Sequence, residues 1–159
     1  MRDTISIKDK YQIVIIGAGM AGLSCASALA KIGIEDVLIL EAKTASHENS
    51  SSFGQSRMFR EMYSDSRLCQ LSKHSNRLWR EDESLSGKKL QNHHGLLFYG
   101  ESWDEETIEG SIPGAKKVME EQNIPFEELD HKKINDRFPL KAKKDFIGLF
   151  EPTAGSINC

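Results

Sequence analysis

Two short runs of branched apolar residues near the start of the chain have the pattern of parallel strands. They cover residues 11–16 and 36–40 and are nearly uninterrupted by polar positions. Continuous runs of this kind, unlike alternating ones, are typical of strands buried on both faces of a sheet. The residues between them, 23–33, are mostly small or helix-favouring and end at Gly33, a common C-terminal helix cap. This order predicts one β-α-β unit with a right-handed crossover.

Later in the chain the periodicity changes to that of amphipathic helices mixed with single strands. Apolar positions at helical spacing predict a helix over residues 66–82, and two further helices are predicted over 114–122 and about 128–137. Apolar runs at 95–99 and 146–150 predict strands. We therefore expect an α/β fold in which a Rossmann-like β-α-β unit is combined with an inserted α+β segment.

Composition and charge narrow the class of protein. The chain has 159 residues, of which 38% are hydrophobic, and a formal net charge of −3. These values are typical of a globular protein, and the slight acidity favours neither nucleic acid nor a membrane surface as a partner. The apolar run near the start is too short for a signal peptide or a membrane span. Three cysteines without paired spacing predict reduced thiols, and hence an intracellular, cytoplasmic protein.

Residues 17–22 spell GAGMAG, a glycine-rich turn with G-x-G-x-x-G spacing between the first strand and the helix. This spacing is weak by itself, but here a strand precedes it, a helix follows it, and an acidic residue ends the next strand. Gly17 allows the tight turn, Gly19 lets the backbone approach a pyrophosphate, and Gly22 lets helix and strand pack closely. The helix start also offers N–H groups to phosphates. We predict a dinucleotide site; the alternative is an α/β turn without a nucleotide.

The acidic residue at the end of the second strand belongs to the same predicted site. Glu41 is placed to accept hydrogen bonds from an adenosine ribose, and its charge would repel a 2′-phosphate, which disfavours an NADP-type ligand. Met20 and Ala42 complete the set of predicted nucleotide contacts in this part of the chain. The motif alone does not separate NAD from FAD.

Three stretches of the chain resemble the FAD-dependent amine oxidases of the monomeric sarcosine oxidase, pipecolate oxidase and N-methyltryptophan oxidase family. They are IVIIGAGMAGLSCASALAKIG at 13–33, SSFGQSRMFREMY at 51–63 and GLFEPTAGSIN at 148–158. Residues 78–100 are also similar to the helix-then-strand segment of that family. The resemblance covers about 11–159, which is nearly the whole chain.

The resemblance implies FAD as the cofactor and a division of the chain into three parts. These are the N-terminal part of an FAD-binding domain at 11–63, an inserted segment of the substrate domain at 64–142, and a truncated return to the FAD-binding domain at 143–159. Members of the family are more than twice as long as this chain, so the expected fold is incomplete and corresponds to their N-terminal part.

The resemblance also implies roles for residues in the second stretch. Arg57 matches an arginine that lies against the flavin ring, where its charge stabilises the reduced, anionic flavin. Arg60 matches an arginine that pairs with the substrate carboxylate, and a guanidinium group is a rigid fork suited to that task. Tyr63 matches an aromatic hydroxyl at the substrate pocket, and Ser52 and Gly54 match the loop that lines the cofactor.

The sequence leaves the geometry of the two arginines open. In an extended segment, residues three apart point to opposite faces, so Arg57 and Arg60 could serve different ligands; in a helix they share a face and could clamp one anion. A solvated pair bound to Glu61 or Asp65 is the alternative without a ligand. Phe53 departs from the family, whose members commonly carry histidine there, so substrate preference is expected to differ.

For the complete enzyme, the resemblance implies oxidation of the C–N bond of a secondary or N-methyl amino acid. Hydride passes to FAD, the imine is hydrolysed, and oxygen reoxidises the flavin to give peroxide. The expected partners are a small-molecule amino acid substrate and oxygen. The alternatives are a related flavin dehydrogenase with another electron acceptor, and a truncated, catalytically inactive dinucleotide-binding module. We expect the isolated chain to bind FAD weakly or not at all and to show no turnover.

The adjacent histidines His93 and His94 invite a metal interpretation. Neighbouring side chains on a strand point to opposite faces, and no third ligand has suitable spacing. We predict no metal site in this chain.

Overall fold

The computed structural model describes residues 7–44, 53–101 and 110–158. The chain forms two compact units, which divide between Gly54 and Gln55. They are called the N-terminal unit and the C-terminal unit below. Ser52, one of the predicted cofactor contacts, lies outside the described residues.

The N-terminal unit is the β-α-β unit predicted from the sequence. Strand β1 (Ile13–Ile16) is followed by helix α1 (Met20–Lys31) and strand β2 (Val37–Leu40). The two strands are parallel, with Ile13 opposite Val37. The carboxyl ends of both strands therefore meet at one edge of the sheet, which brings the glycine-rich turn next to Glu41.

Much of the apolar surface of the N-terminal unit is uncovered. Helix α1 contains no buried residue, and Val14 and Ile16 are 48% and 88% exposed. The prediction that the strands are buried on both faces is therefore wrong for the described residues. The physical reason is that the described part of this unit has one helix against a two-stranded sheet, and one helix cannot cover both faces.

The C-terminal unit combines short antiparallel strands with three helices in its described residues. In chain order its elements are β3 (Ser56–Phe59), α2 (Ser66–Ser86), β4 (Gln91–His93), β5 (Leu96–Glu101), α3 (Ile112–Glu121), β6 (Glu127–Asp130), α4 (His131–Arg137), β7 (Phe146–Glu151) and β8 (Gly155–Asn158). One sheet has the order β3-β8-β4 and the other β5-β7-β6. All pairings in these two sheets are antiparallel.

The strand pairing connects parts of the chain that the sequence analysis assigned to different domains. Strand β7 pairs with β5 and β6, both of which lie in the predicted insertion at 64–142. Strand β8 pairs with β3 from the first predicted part and with β4 from the insertion. The three-part division of the chain stays a prediction.

Helix α2 begins at a side-chain cap. The Asp65 carboxylate accepts hydrogen bonds from the N–H groups of Arg67 and Leu68, at 2.7 and 3.2 Å, the usual function of aspartate at this position. The Arg67 side chain also donates to Asp65, and these contacts lower the pKa of the carboxyl to about 2. The cap fixes where the chain turns into α2, only a few residues after the two arginines.

The main core of the C-terminal unit joins α2 and α3 to β7. Its buried members are Met62, Cys69, Ile112, Ala115, Val118, Met119, Ile124 and Leu149. Met62 is 2% exposed and Cys69 is fully buried. The segment that follows Arg60 is therefore anchored in this core rather than lying free on the surface.

One buried side chain has no hydrogen-bond partner within the described part of the chain. Gln91, on β4, is 1% exposed, and neither its amide nitrogen nor its oxygen is paired there. An unpaired buried amide costs about 1–3 kcal/mol. We expect Gln91→Met, which keeps a similar shape without the amide, to raise the free energy of unfolding by an amount in that range, measured by urea denaturation.

Gln70→Met is the control for this substitution, because Gln70 is exposed on α2 and exposed substitutions change stability by less than about 0.5 kcal/mol. A decrease in stability for Gln91→Met would show that the amide is paired in solution.

Candidate functional site

The glycine-rich turn of the N-terminal unit has the geometry of a phosphate-binding turn. Gly17 has a φ of 101°, which favours glycine, and its N–H donates to the carbonyl oxygen of Leu40 at 2.7 Å. A Cβ atom on Gly22 would lie 2.0 Å from the carbonyl oxygen of Gly17 and 3.3 Å from Cγ2 of Ile15. Helix α1 therefore packs directly onto the turn, as predicted from the glycine spacing.

The start of α1 is suited to an anion. Gly19 is the N-cap residue, with an extended backbone and no side chain to accept the first N–H groups of the helix. The first turn also has no acidic residue. Because helix N-termini carry partial positive charge, this geometry fits a pyrophosphate. Met20, the first residue of the helix, is 47% exposed.

The Glu41 carboxylate lies at the same turn. Its Oε2 accepts a hydrogen bond from the N–H of Ala18 at 2.7 Å, and its Oε1 accepts one from the N–H of Lys43 at 3.1 Å. An ionised carboxylate has about four acceptor positions, and both oxygens of Glu41 lie at the turn where a ribose is predicted. Ala42 is exposed beside it. The contact between Glu41 and a ribose stays a prediction.

Two residues of the serine and glycine loop are described at the end of the N-terminal unit. Phe53 is 47% exposed, and Gly54 is half-buried. Their predicted position beside the cofactor stays a prediction, as does that of Ser52.

The segment with the two arginines is extended, which selects one of the two geometries left open by the sequence. Arg57 lies within β3, opposite Ile157 of β8, and its Nη1 donates to the carbonyl oxygen of Ser56 at 2.7 Å. Arg60 follows the strand, and its guanidinium carbon lies 4.8 Å from the ring centroid of Tyr63. The two guanidinium groups therefore have different neighbours, which is consistent with separate ligands.

Arg60 has no acidic partner among the described residues. Asp65 forms its ion pair with Arg67, at 3.0 Å, and the Glu61 carboxylate accepts a hydrogen bond from Asn76 at 2.9 Å. The alternative in which Glu61 or Asp65 neutralises both arginines therefore does not hold for Arg60. A half-buried guanidinium that stacks on an aromatic ring, with no counter-ion in residues 7–44, 53–101 and 110–158, favours an anionic ligand.

A cleft of about 290 Å³ lies beside Arg60 and Tyr63, between β3, β8 and α2. Side chains of both polar and apolar character line it, namely Met58, Phe59, Arg60, Tyr63, Leu68, Leu71, Ser72, Ser75, Asn76, Trp79 and Ile157. A cleft with mostly apolar walls and a few convergent polar groups is the usual form of a small-molecule site.

The sequence analysis missed the residues that hold Arg60 in place. Ser72 Oγ donates to the carbonyl oxygen of Arg60. The fully buried carboxylate of Glu151 accepts hydrogen bonds from the N–H groups of Glu61 and Met62. Burial raises the pKa of Glu151, and the donated hydrogen bonds oppose this effect. The available signal was an acidic residue that ends the apolar run FIGLF.

His93 has a structural role in the described residues. Its Nδ1 lies 2.6 Å from the carbonyl oxygen of Thr153, and its ring packs edge-on against Phe59 with the centroids 5.3 Å apart. Within residues 7–44, 53–101 and 110–158, no three potential metal-ligating side chains come together. In the same residues, no helix is long and apolar enough to cross a membrane.

The profile of the FAD dependent oxidoreductase family, DAO, matches residues 12–159. The chain therefore belongs to the FAD dependent oxidoreductases. This confirms the predicted family and, together with the structural similarity described next, the predicted α/β fold.

Sarcosine oxidases are among the relatives that the chain matches. Monomeric sarcosine oxidase of a Bacillus species is 28% identical over 154 residues, which are 94% of this chain and 38% of the relative. Peroxisomal sarcosine oxidase of Homo sapiens is 30% identical over 152 residues, which are 94% and 37%. The chain thus spans less than two fifths of the length of these relatives.

An open form of NikD, described as an unusual amino acid oxidase essential for nikkomycin biosynthesis, has a TM-score of 0.78 and 32% identity. The match covers 93% of this chain and 37% of NikD. L-proline dehydrogenase from P. horikoshii has a TM-score of 0.75 at 23% identity, with 96% of this chain and 39% of that one covered, and this likeness shows the fold alone.

Proposed function

We propose that this chain is part of an FAD-dependent enzyme that oxidises the C–N bond of a secondary or N-methyl amino acid with oxygen as the acceptor. The observation that carries the proposal is the Arg60 guanidinium, which lies against Tyr63 at the edge of a cleft and has no acidic partner among the described residues. A carboxylate is the complementary anion for such a group.

The residues of the N-terminal unit fit the dinucleotide part of FAD. The amides at the start of α1 would hold the pyrophosphate, with Gly17 forming the tight turn, Gly19 letting the backbone approach the ligand and Gly22 letting α1 pack onto the turn. Glu41 would accept hydrogen bonds from the adenosine ribose. Arg57 is proposed to contribute its positive charge beside the flavin ring. When bound, FAD supplies the electron acceptor for the oxidation of the C–N bond.

On the substrate side, Arg60 binds and orients the amino acid through its carboxylate. The Tyr63 ring supports the guanidinium from one face, so the fork keeps one orientation when no ligand is present. The apolar side chains of the cleft offer contacts to the apolar part of the ligand beside Arg60. These residues position the substrate and do not themselves carry electrons.

A second candidate is a dinucleotide-binding module without turnover. The observation that favours it is that the glycine-rich turn and Glu41 lie together within the compact N-terminal unit. The expected absence of turnover by the isolated chain stays a prediction, measured by peroxide formation with N-methyl amino acids. A dehydrogenase with another electron acceptor would show no peroxide but would reduce an artificial acceptor.

The exposed Cys25 and buried Cys69 are both unpaired, in keeping with the proposed cytoplasmic location.

The carboxylate proposal is tested with two ligands that differ in one group, N-methylglycine and N-methylglycinamide. We expect the chain to bind the carboxylate more tightly than the carboxamide, as followed by NMR titration. Because a hydrogen bond to a charged group contributes about 1.5–3 kcal/mol, Arg60→Met should weaken N-methylglycine binding by about 10- to 100-fold and leave the carboxamide nearly unchanged.

Arg80→Met is the matched control, because Arg80 is exposed on α2 and does not line the cleft. It should leave both affinities unchanged. Equal binding of the two ligands, or equal effects of the two substitutions, would overturn the assignment of Arg60.

A further inference from the structure

A buried carboxylate holds the backbone immediately after Arg60. Glu151 is the last residue of β7 and is fully buried. Both of its oxygens accept from the N–H of Glu61, at 3.0 and 3.1 Å, and Oε2 also accepts from the N–H of Met62 at 3.0 Å. Thr153 Oγ1 donates to Oε1 at 3.1 Å. Three donors therefore converge on one carboxylate.

The segment bound by Glu151 has no strand partner of its own. Residues 60–63 lie between β3 and α2 and belong to neither. Buried N–H groups need an acceptor, and for Glu61 and Met62 the carboxylate supplies what a neighbouring strand would otherwise provide. Ser72 fixes the carbonyl group of Arg60 from the side of α2. The backbone on both sides of the Arg60 side chain is thus held.

The charge of Glu151 is not neutralised by an ion pair. None of the ion pairs in the described ranges includes this residue. Burying an unpaired carboxylate costs free energy unless hydrogen bonds satisfy it. An ionised carboxylate is an acceptor at every position, whereas a carboxamide or a protonated carboxyl must also donate. Only the ionised carboxylate can accept from three donors without also placing a hydrogen-bond donor of its own in the buried site.

We infer that Glu151 is a positioning residue, which fixes the segment 60–63 so that Arg60 and Tyr63 face the substrate carboxylate together. The inference rests on the proposed function of Arg60. It assigns a role to an acidic residue that is distant in sequence and does not line the cleft. If Glu151 had only a structural role, its hydrogen bonds would stabilise the fold, but the position of the Arg60 side chain would not depend on them.

The test is Glu151→Gln, studied by NMR in the 159-residue chain. The NH2 group of the carboxamide is a donor, so it would face one of the two backbone N–H groups without accepting from it. One of the hydrogen bonds to the segment would therefore be lost. We expect the amides of Glu61 and Met62 to exchange with solvent at least about tenfold faster, which corresponds to about 1.4 kcal/mol. We also expect the side-chain N–H of Arg60 to lose the upfield shift produced by the nearby Tyr63 ring. The dissociation constant for N-methylglycine should rise about tenfold.

Glu121→Gln is the matched control, since Glu121 is an exposed carboxylate at the end of α3, and it should change none of these signals. A pH titration of the unsubstituted chain is the second measurement, and it applies even if Glu151→Gln does not fold. Burial raises the pKa of Glu151 above its ordinary value. The Arg60 shift and the two amides should therefore change together as the pH falls through that raised value.

Two other titratable groups influence Glu151 and must be separated from it. Glu61 carries a charge that opposes the ionisation of Glu151, and the Cys69 thiol on α2 is affected by the Glu151 charge. The thiol pKa is itself raised, mainly by burial, so it titrates far above the range of the carboxyls. Glu61→Gln removes the Glu61 charge but keeps an acceptor for Asn76. In this variant the Arg60 shift and the two backbone amides should still change together as the pH falls.

The outcomes distinguish this inference from the proposed function. If Glu151→Gln folds and leaves both the Arg60 shift and the affinity for N-methylglycine unchanged, the inference is overturned. An Arg60 shift that does not follow the two amides in the pH titration would also overturn it. If the unsubstituted chain binds no N-methylglycine, the proposed function fails, and the Arg60 shift still decides whether Glu151 positions that side chain.

Discussion

Gly22→Ala is expected to weaken nucleotide binding by the N-terminal unit at least tenfold. The added Cβ would lie 2.0 Å from the carbonyl oxygen of Gly17, which belongs to the backbone and cannot rotate away. The start of α1 must therefore move off the turn, and the N–H groups that are proposed to bind the pyrophosphate would move with it. We expect the affinity for ADP, which contains the adenosine and pyrophosphate groups of FAD, to fall at least tenfold in an NMR titration, or about 1.4 kcal/mol.

Gly33→Ala separates this effect from a general loss of stability. Gly33 has a φ of 82°, so alanine is strained there, but its Cβ would meet nothing within 4 Å. The left-handed backbone costs an alanine about 1–2 kcal/mol. This variant should therefore lose stability while keeping its affinity for ADP. If both variants lose affinity for ADP equally, nucleotide binding does not depend on the close packing of Gly22 against the turn.

Gly155→Ala is expected to give the largest loss of stability in the C-terminal unit. Gly155 lies on β8, the central strand of the β3-β8-β4 sheet. A Cβ there would lie 1.8 Å from the carbonyl oxygen of Asn92 and 3.1 Å from Cα of His93. Because these are backbone atoms of β4, the two strands must separate. We expect a loss of about 3 kcal/mol or more in the free energy of unfolding in urea, at or above the usual cost of overpacking.

The separation of the strands would also disturb the candidate site, since β8 holds β3 and therefore Arg57. Gly100→Ala is the matched control. Gly100 is also a strand glycine, but its Cβ would make only an ordinary contact, 3.6 Å from Cδ1 of Ile112. Because glycine weakens a strand by roughly 0.5–1 kcal/mol relative to alanine, this variant should be neutral or slightly more stable. Equal losses in both variants would contradict the predicted clash.

The sequence predicted those elements of the fold whose formation depends on residues within one short segment. The apolar runs of β1 and β2, the small residues of α1 and the helical spacing of α2 each lie within one segment. Their bounds in the structure, such as Ser66–Ser86 for a helix expected at 66–82, differ mainly in length. The glycine spacing likewise predicted the turn, because steric limits on backbone approach operate within a few residues.

Strands β3, β4 and β8 could not be predicted in this way. Their sequences are SRMF, QNH and GSIN, and none has the apolar or alternating pattern of an independent strand. They exist because they pair with each other across the length of the C-terminal unit. Strand β6 was likewise assigned to a helix, which in the structure begins only at His131.

The candidate site shows the same contrast. Arg60 and Tyr63 were found through a resemblance carried by a contiguous stretch, and the structure brings them into contact. Glu151, which holds their backbone, is separated from them by about 90 positions. The acidic residue that ends the run FIGLF marks Glu151 as unusual, but the sequence does not indicate its partner, because the contact depends on how β7 passes beside the segment that follows β3.

The central claim is that the chain forms a dinucleotide site at the glycine-rich turn. The most direct test is an NMR titration of the 159-residue chain with ADP. The predicted result is a shift of the amides of Ala18, Met20 and Ala21 that saturates only at high ADP concentration, in keeping with the weak cofactor binding expected of the isolated chain. ADP with an added 2′-phosphate should bind more weakly, because Glu41 lies at the turn. Saturable shifts confined to the C-terminal unit, or no saturable shift at the turn, would contradict the account.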